Sequence, residues 1–238
     1  MTARIAALVA AAALLASCGS DDDRLLVLGA SSLRDVFPAI DDSPEYAFGG
    51  SGQLALQVLE GARSDVIATA GTGPMEQLVD AGAVGPPVVF ATNRLVIVVP
   101  RGNPAGVRAL DDLGEDGTVV VLADAGVPAG DYAREALTRA GLETALERVA
   151  SFEDDVRGVL TKVALREADA GIVYATDVRA AADDVEGVDV PDRFQPEVEY
   201  VAAAVTTSAR AHVAHAFLAR LRSEEGRDVL VDAGFGLP

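Results

Sequence analysis

The chain has one cysteine, Cys18, no tryptophan, two histidines and a single lysine among 238 residues. A lone cysteine excludes an internal disulfide and any cysteine-cluster metal site. The histidines, His212 and His215, lie three apart on a C-terminal helical pattern. No further ligands converge on them, so they read as a solvated helix face rather than a zinc site. A serine hydrolase using Ser32 or Ser51 would need a base within reach, yet both histidines are in that distant helix and no Gly-x-Ser-x-Gly elbow occurs. Positive charge is also scarce: 19 Lys and Arg against 37 Asp and Glu give a formal net charge of −18. That balance disfavours nucleic acid and anionic membrane surfaces, which need a basic footprint. It does not exclude a small anion held in a neutral pocket by local dipoles.

The N-terminus has the pattern of a targeting segment. Arg4 precedes an apolar run from Ile5 to Ala16, too short for a spanning helix of ~20 residues. The run ends in Leu15-Ala16-Ser17-Cys18, which resembles the lipobox of bacterial lipoproteins. The resemblance implies a signal peptide over 1–17, diacylation of Cys18 and a lipidated polar tether over 18–23. The alternative is an ordinary secretory signal with an incidental cysteine.

From residue 25 onward, strand-like and helical stretches alternate. Strands are expected at 25–29, 45–50, 65–69, 118–122 and 171–174, each leading into apolar residues at helical spacing such as Leu33, Val36, Phe37 and Ile40. This is the pattern of an α/β fold with buried, mostly parallel strands. Two longer apolar stretches, 94–100 and 198–205, bracket a central block, and helices over about 209–222 and 224–232 end the chain. That arrangement predicts two lobes, 24–97 with 203–238 and 98–202, joined by two crossing strands. A single larger α/β domain is the competing reading.

Four strand-to-helix junctions carry small or hydroxyl residues: 30–33 (ASSL), 49–54 (GGSGQL), 127–130 (VPAG) and 153–158 (EDDVRG). Ligands of α/β sheets bind beyond the carboxyl ends of strands, where helix N-termini present N–H groups and a positive dipole end. The helix that begins within GVPAGDYAREAL is the most pointed case. Pro128, Ala129 and Gly130 offer no side-chain acceptor for the orphan N–H groups of its first turn. Ser32 and Ser51 could be N-caps, but a serine can also donate its O–H outward.

In order along the chain, ASSLRDVF, FGGSGQLALQV, LVIVVP, VPAGDYAREAL, EDDVRGVL, GIVYATD and the terminal Gly234-Phe235 resemble the extracytoplasmic molybdate-binding proteins of ABC transporters. The resemblance covers Leu25 to Phe235 and implies a two-lobed periplasmic-binding-protein fold. It further implies a non-enzymatic protein without cofactor, whose ligand is molybdate or tungstate and whose partner is an ABC permease. The expected protein is a monomer, extracytoplasmic and lipid-anchored. The implied site takes the hydroxyls of Ser32, Ser51 and Tyr174 and the backbone N–H groups of Ala129 and Val156. Arg157, next to Val156, is expected to point away. Gly49, Gly50 and Gly52 stand where several relatives carry further serines, and Thr69-Ala70-Gly71 replaces a more usual Ser-Ala-Asp. A binding protein for sulfate or another tetrahedral oxyanion, and an oxyanion sensor, remain alternatives.

Overall fold

A computed structural model describes residues 24–238. The expected signal peptide, Cys18 and the tether to residue 23 lie outside the described residues. Two five-stranded sheets carry the chain. The first holds β1 (Leu26–Ala30), β2 (Glu45–Gly49), β3 (Val66–Ala70), β4 (Val88–Asn93) and β10 (Val198–Ala204), in the order β2-β1-β3-β10-β4. The second holds β5 (Leu95–Pro100), β6 (Val120–Ala123), β7 (Val149–Glu153), β8 (Ala170–Tyr174) and β9 (Val185–Asp189), in the order β7-β6-β8-β5-β9.

As expected, both sheets are mostly parallel: four strands of each run one way and the fifth, β10 or β5, runs against them. β1 runs parallel to β2 and β3, and β6 to β7 and β8, but β10 is antiparallel to β3 and β4, and β5 to β8 and β9. The reason is the route of the chain. β1, β2 and β3 end at the cleft between the sheets, as do β6, β7 and β8. β5 and β10 are entered from the opposite lobe, so they start at the cleft and must run the other way. The chain changes sheet between Asn93 and Leu95 and again between Asp189 and Val198. The expected boundaries at 97/98 and 202/203 therefore fall inside β5 and β10, each of which lies in one sheet along its whole length.

Helices cover the sheets: α1 (Phe37–Ile40), α2 (Ser51–Leu59), α3 (Thr72–Asp80), α4 (Pro128–Ala140), α5 (Val156–Ala164), α6 (Ala175–Ala180), α7 (Ala211–Leu221) and α8 (Glu224–Asp232). The helical pattern from Leu33 to Ile40 does not form one helix. A single turn at Ser31–Leu33 is followed by the separate, four-residue α1 with Pro38 in its first turn. Proline has no N–H to continue a helix from upstream. The central strands β3, β5, β6 and β8 are buried at every residue, as expected of strands covered on both faces.

A chain of rings ties the lobes together. Phe37 packs against Tyr46, Phe90 and Phe217 with centroids 5.6–6.0 Å apart. Phe90 meets Tyr200 at 6.1 Å, and Tyr200 meets Phe235 at 5.2 Å and, on the other sheet, Tyr174 at 5.9 Å. The first turn of α4 sits so close to the end of β6 that a Cβ on Gly130 would collide with the carbonyl oxygens of Ala123 and Asp124. Backbone atoms cannot swing aside as a side chain can. Gly130→Ala should therefore cost ~1–3 kcal/mol, a melting temperature lower by roughly 3–10 °C in a thermal scan followed by circular dichroism.

Candidate functional site

The carboxyl ends of β1, β2 and β3 face those of β6, β7 and β8 across one small cavity. Its wall is formed by Ala30, Ser31, Ser32, Gly49, Gly50, Ser51 and Ala70 from the first lobe, and by Val127, Pro128, Ala129, Asp155, Val156 and Tyr174 from the second. All five residues expected from the sequence, Ser32, Ser51, Ala129, Val156 and Tyr174, lie on this wall. The cavity volume is about 10 Å³, about the space of one water-sized group and far below the ~300–1,000 Å³ of sites for drug-sized molecules. No lysine or arginine lines it among the described residues.

The chemistry of the wall is that of a donor set. Neither serine caps a helix: the turn at Ser31–Leu33 and α2 have no side-chain cap. Ser51 Oγ instead accepts the N–H of Ala70 at 3.1 Å, and Ser32 Oγ lies 2.9 Å from Tyr200 Oη. α4 also starts without a side-chain cap, with Val127 in the cap position. Ala129, in its first turn, lies on the cavity wall. α5 is capped by Asp155, whose Oδ1 takes the N–H groups of Arg157 and Gly158 at 2.8 and 3.0 Å. That cap passes over the N–H of Val156, the first residue of the helix. Tyr174 Oη is buried and has no hydrogen-bond partner among the described residues. Burial pushes its pKa well above the usual tyrosine value, and the nearby hydroxyl of Tyr200 raises it further, so the group is an O–H donor. A buried hydroxyl left unpaired is costly and calls for an explanation.

Arg157 points away from the cavity, as expected. Its Nη2 pairs with Asp35 of the first lobe and its Nε lies 3.1 Å from Asp177 Oδ1. Asp177 is fully buried and accepts the N–H of Tyr174 through Oδ2 at 3.2 Å. Burial raises its carboxyl from the ordinary aspartate range to about 6, while Arg157 pulls it down. Sequence reasoning did not find Asn93, Thr176, Asp177 or Tyr200, which stand immediately behind the wall. Tyr200 sits in an apolar strand with no motif around it, and only the register of β10 beside Ala70 brings it there.

Gly50 and Gly52 belong to the contact between lobes. A Cβ on Gly50 would come to 2.6 Å from the carbonyl oxygen of Asp154, and one on Gly52 to 2.5 Å from that of Gly126. Side chains at these two positions do not fit while the lobes are in this arrangement.

Hydroxyls and helix N-termini from two lobes meet at this cavity, together with the Asp155 carboxylate that caps α5. The profile of the bacterial extracellular solute-binding proteins matches residues 43–236. The chain belongs to this family. Membership agrees with the expectation that the protein is a binder and not an enzyme. It is 34% identical over 224 residues to the molybdate-binding protein ModA of Mycobacterium tuberculosis, covering 90% of this chain and 85% of that protein. It is 28% identical over 245 residues to the putative ABC transporter substrate-binding lipoprotein YvgL of Bacillus subtilis, with 93% of each covered. The solved structure of the Azotobacter vinelandii periplasmic molybdate-binding protein superposes with a TM-score of 0.80 at 21% identity, over 90% of this chain and 100% of that one. At that identity the likeness speaks for the two-lobed fold.

Asp177 gives the solute-binding protein a pH signature. With its folded pKa raised to about 6 and an unfolded value of ~3.9, the folded state keeps a proton that the unfolded state has released between those values. Stability from this group is therefore present at low pH and is lost as pH rises through about 6. Comparing wild type with Asp177→Asn by urea unfolding, the difference should move against the wild type by about 2–3 kcal/mol between pH ~4 and ~7.

Proposed function

We propose that the chain binds molybdate, and tungstate with it, in the cavity between its lobes and presents it to an ABC permease. The observation that carries this reading is the buried Tyr174 Oη, without a hydrogen-bond partner among the described residues, on a wall shared with Ser32, Ser51, Ala129 and Val156. Molybdate and tungstate are fully deprotonated dianions near neutral pH, and each oxygen can only accept hydrogen bonds. Hydroxyls of Ser32, Ser51 and Tyr174 and N–H groups of Ala129 and Val156 supply donors without a countercharge. The uncapped ends of α2 and α4 add favourable dipoles. The molybdate-binding relative from M. tuberculosis supports the same ligand. Arg157, engaged by Asp35 and Asp177, takes no part in direct pairing.

Ligand contacts from both lobes favour the arrangement in which Gly50 and Gly52 meet the opposite backbone, so binding shifts the population toward closure. The protein acts as a monomer. It is held at the outer face of the membrane by lipid on Cys18, a reading supported by the lipobox pattern and by the lipoprotein named among its relatives. Two acyl chains anchor stably where one is marginal.

Titration calorimetry against molybdate, tungstate, sulfate and phosphate tests the ligand. Molybdate and tungstate should bind much more tightly than sulfate, whose shorter bonds cannot reach every donor; two donors left unpaired cost at least about thirtyfold. Tyr174→Phe should weaken molybdate by ~1.5–3 kcal/mol. Sulfate binding as well as molybdate would overturn the assignment. Gly52→Ala should leave ligand-free stability equal or slightly higher, because alanine suits a helix, yet weaken molybdate by about tenfold through the clash on closure. Cys18→Ala should release the protein from the membrane fraction of the cells that make it.

A further inference from the structure

Ser32 is hydrogen-bonded from behind, and the order of the protons there can be worked out. Its Oγ lies 2.9 Å from Tyr200 Oη, a pair in which either oxygen could donate. Asn93 breaks the tie. Its Oδ1 accepts the N–H of Arg94 at 2.9 Å, which fixes the amide with its NH2 group facing the other way. Nδ2 then donates to Thr176 Oγ1 at 2.9 Å and reaches Tyr200 Oη at 3.4 Å. An amide NH2 has no acceptor to offer. Tyr200 Oη thus has a donor on one side and a hydroxyl on the other. It is fully buried, and burial holds its pKa far above the usual tyrosine value, so it keeps its proton. Ser32 Oγ is the acceptor available to that proton, and the hydrogen of Ser32 is left to face the cavity.

We infer that Tyr200 and Asn93 are specificity-determining positioning residues that hold Ser32 as a donor toward the cavity and thereby set the site against oxyanions that carry a proton. The inference rests on the oxyanion reading above. A protonated oxyanion, such as hydrogenphosphate, needs an acceptor where its O–H meets the wall. For Ser32 to supply one, it must turn its hydrogen onto Tyr200 Oη. The Tyr200 hydroxyl would then point its own hydrogen at the Asn93 amide, donor against donor, in a buried site. An unsatisfied buried donor of this kind is worth about tenfold or more in affinity. Ser51 is fixed in the same sense by the Ala70 N–H, a backbone donor that no side-chain substitution reverses. Ser32 is therefore the position where selectivity can be tuned.

The test is titration calorimetry of the full chain with molybdate, with inorganic phosphate measured by competition, in mildly alkaline buffer where phosphate is mostly the hydrogenphosphate dianion. Both anions then carry the same charge, and Asp155, the one carboxylate on the wall, is common to all variants. Tyr200→Phe keeps the ring edge-to-face with Phe235 and removes only the proton relay. Asn93→Asp replaces the donor with an acceptor, drawing the Tyr200 hydrogen to itself and turning Ser32 into an acceptor for the cavity. Its added charge repels both dianions alike and cancels in their ratio. The molybdate-to-phosphate affinity ratio should fall about tenfold in Tyr200→Phe and further in Asn93→Asp. A wild type that binds molybdate while both variants keep its ratio overturns the relay alone, even if both affinities decline together. A wild type that binds neither anion overturns the oxyanion reading and the relay with it.

Discussion

The first-turn N–H groups of a helix have no partner inside the helix, and this constraint organises the molecule. Two of the eight helices meet it with a capping side chain, Ser223 for α8 and Asp155 for α5. α2 and α4 do not. Both begin where a strand ends at the cleft, and both aim at the same small volume. The two-lobed layout brings these under-satisfied ends together from opposite sides. Around them stand the hydroxyls of Ser51, whose oxygen accepts the Ala70 N–H, and of Tyr174, which has no hydrogen-bond partner among the described residues. No lysine or arginine lines the site among the described residues, in a chain whose formal charge is −18. The cations nearest to it are held by carboxylates, as Arg157 is by Asp35 and Asp177.

Legibility in the sequence followed burial. The strands read directly from their apolar runs include the fully buried β3, β5, β6 and β8. The strands that escaped, β4, β7 and β9, are three of the four edge strands; the fourth, β2, was legible although none of its residues is buried. An edge strand is covered on fewer sides and can carry charge. β9, with the sequence VEGVD, buries only Val185, and β7 alternates half-buried and exposed residues. The junction residues of the site were legible because a missing cap is visible in the sequence, and because a family resemblance ordered the motifs. Asn93, Tyr200 and Asp177 were not, since their roles depend on which strands pair. Tyr200 stands opposite Ala70 across more than a hundred residues of chain, a proximity that no local pattern encodes.

The glycines at 50, 52 and 130 show why departures from a family pattern need a structural reading. Absent side chains at Gly50 and Gly52 look, in the sequence, like lost hydroxyl donors. In the fold they are the points where one lobe's backbone meets carbonyl oxygens of the other. Gly130 does the same within the second lobe. Close approach of backbone to backbone is what only glycine permits, and here it sets how near the helix ends come to one another.

The position of β10 also governs the order in which the molecule can be completed as it emerges from a ribosome or a translocation pore. The second sheet is built wholly from residues 95–189, a continuous stretch. The first sheet is not: β10 lies between β3 and β4, and β4 has no other strand partner. Until residues 198–204 have appeared, the first lobe is a three-stranded fragment with an open edge at β3 and a stray strand at β4. Long-range pairings of this kind are slow to form, and open strand edges are prone to wrong pairing. The second lobe is thus the part able to close its core first, and the first lobe is finished last, by a strand that must insert into the middle of a sheet begun at the other end of the chain.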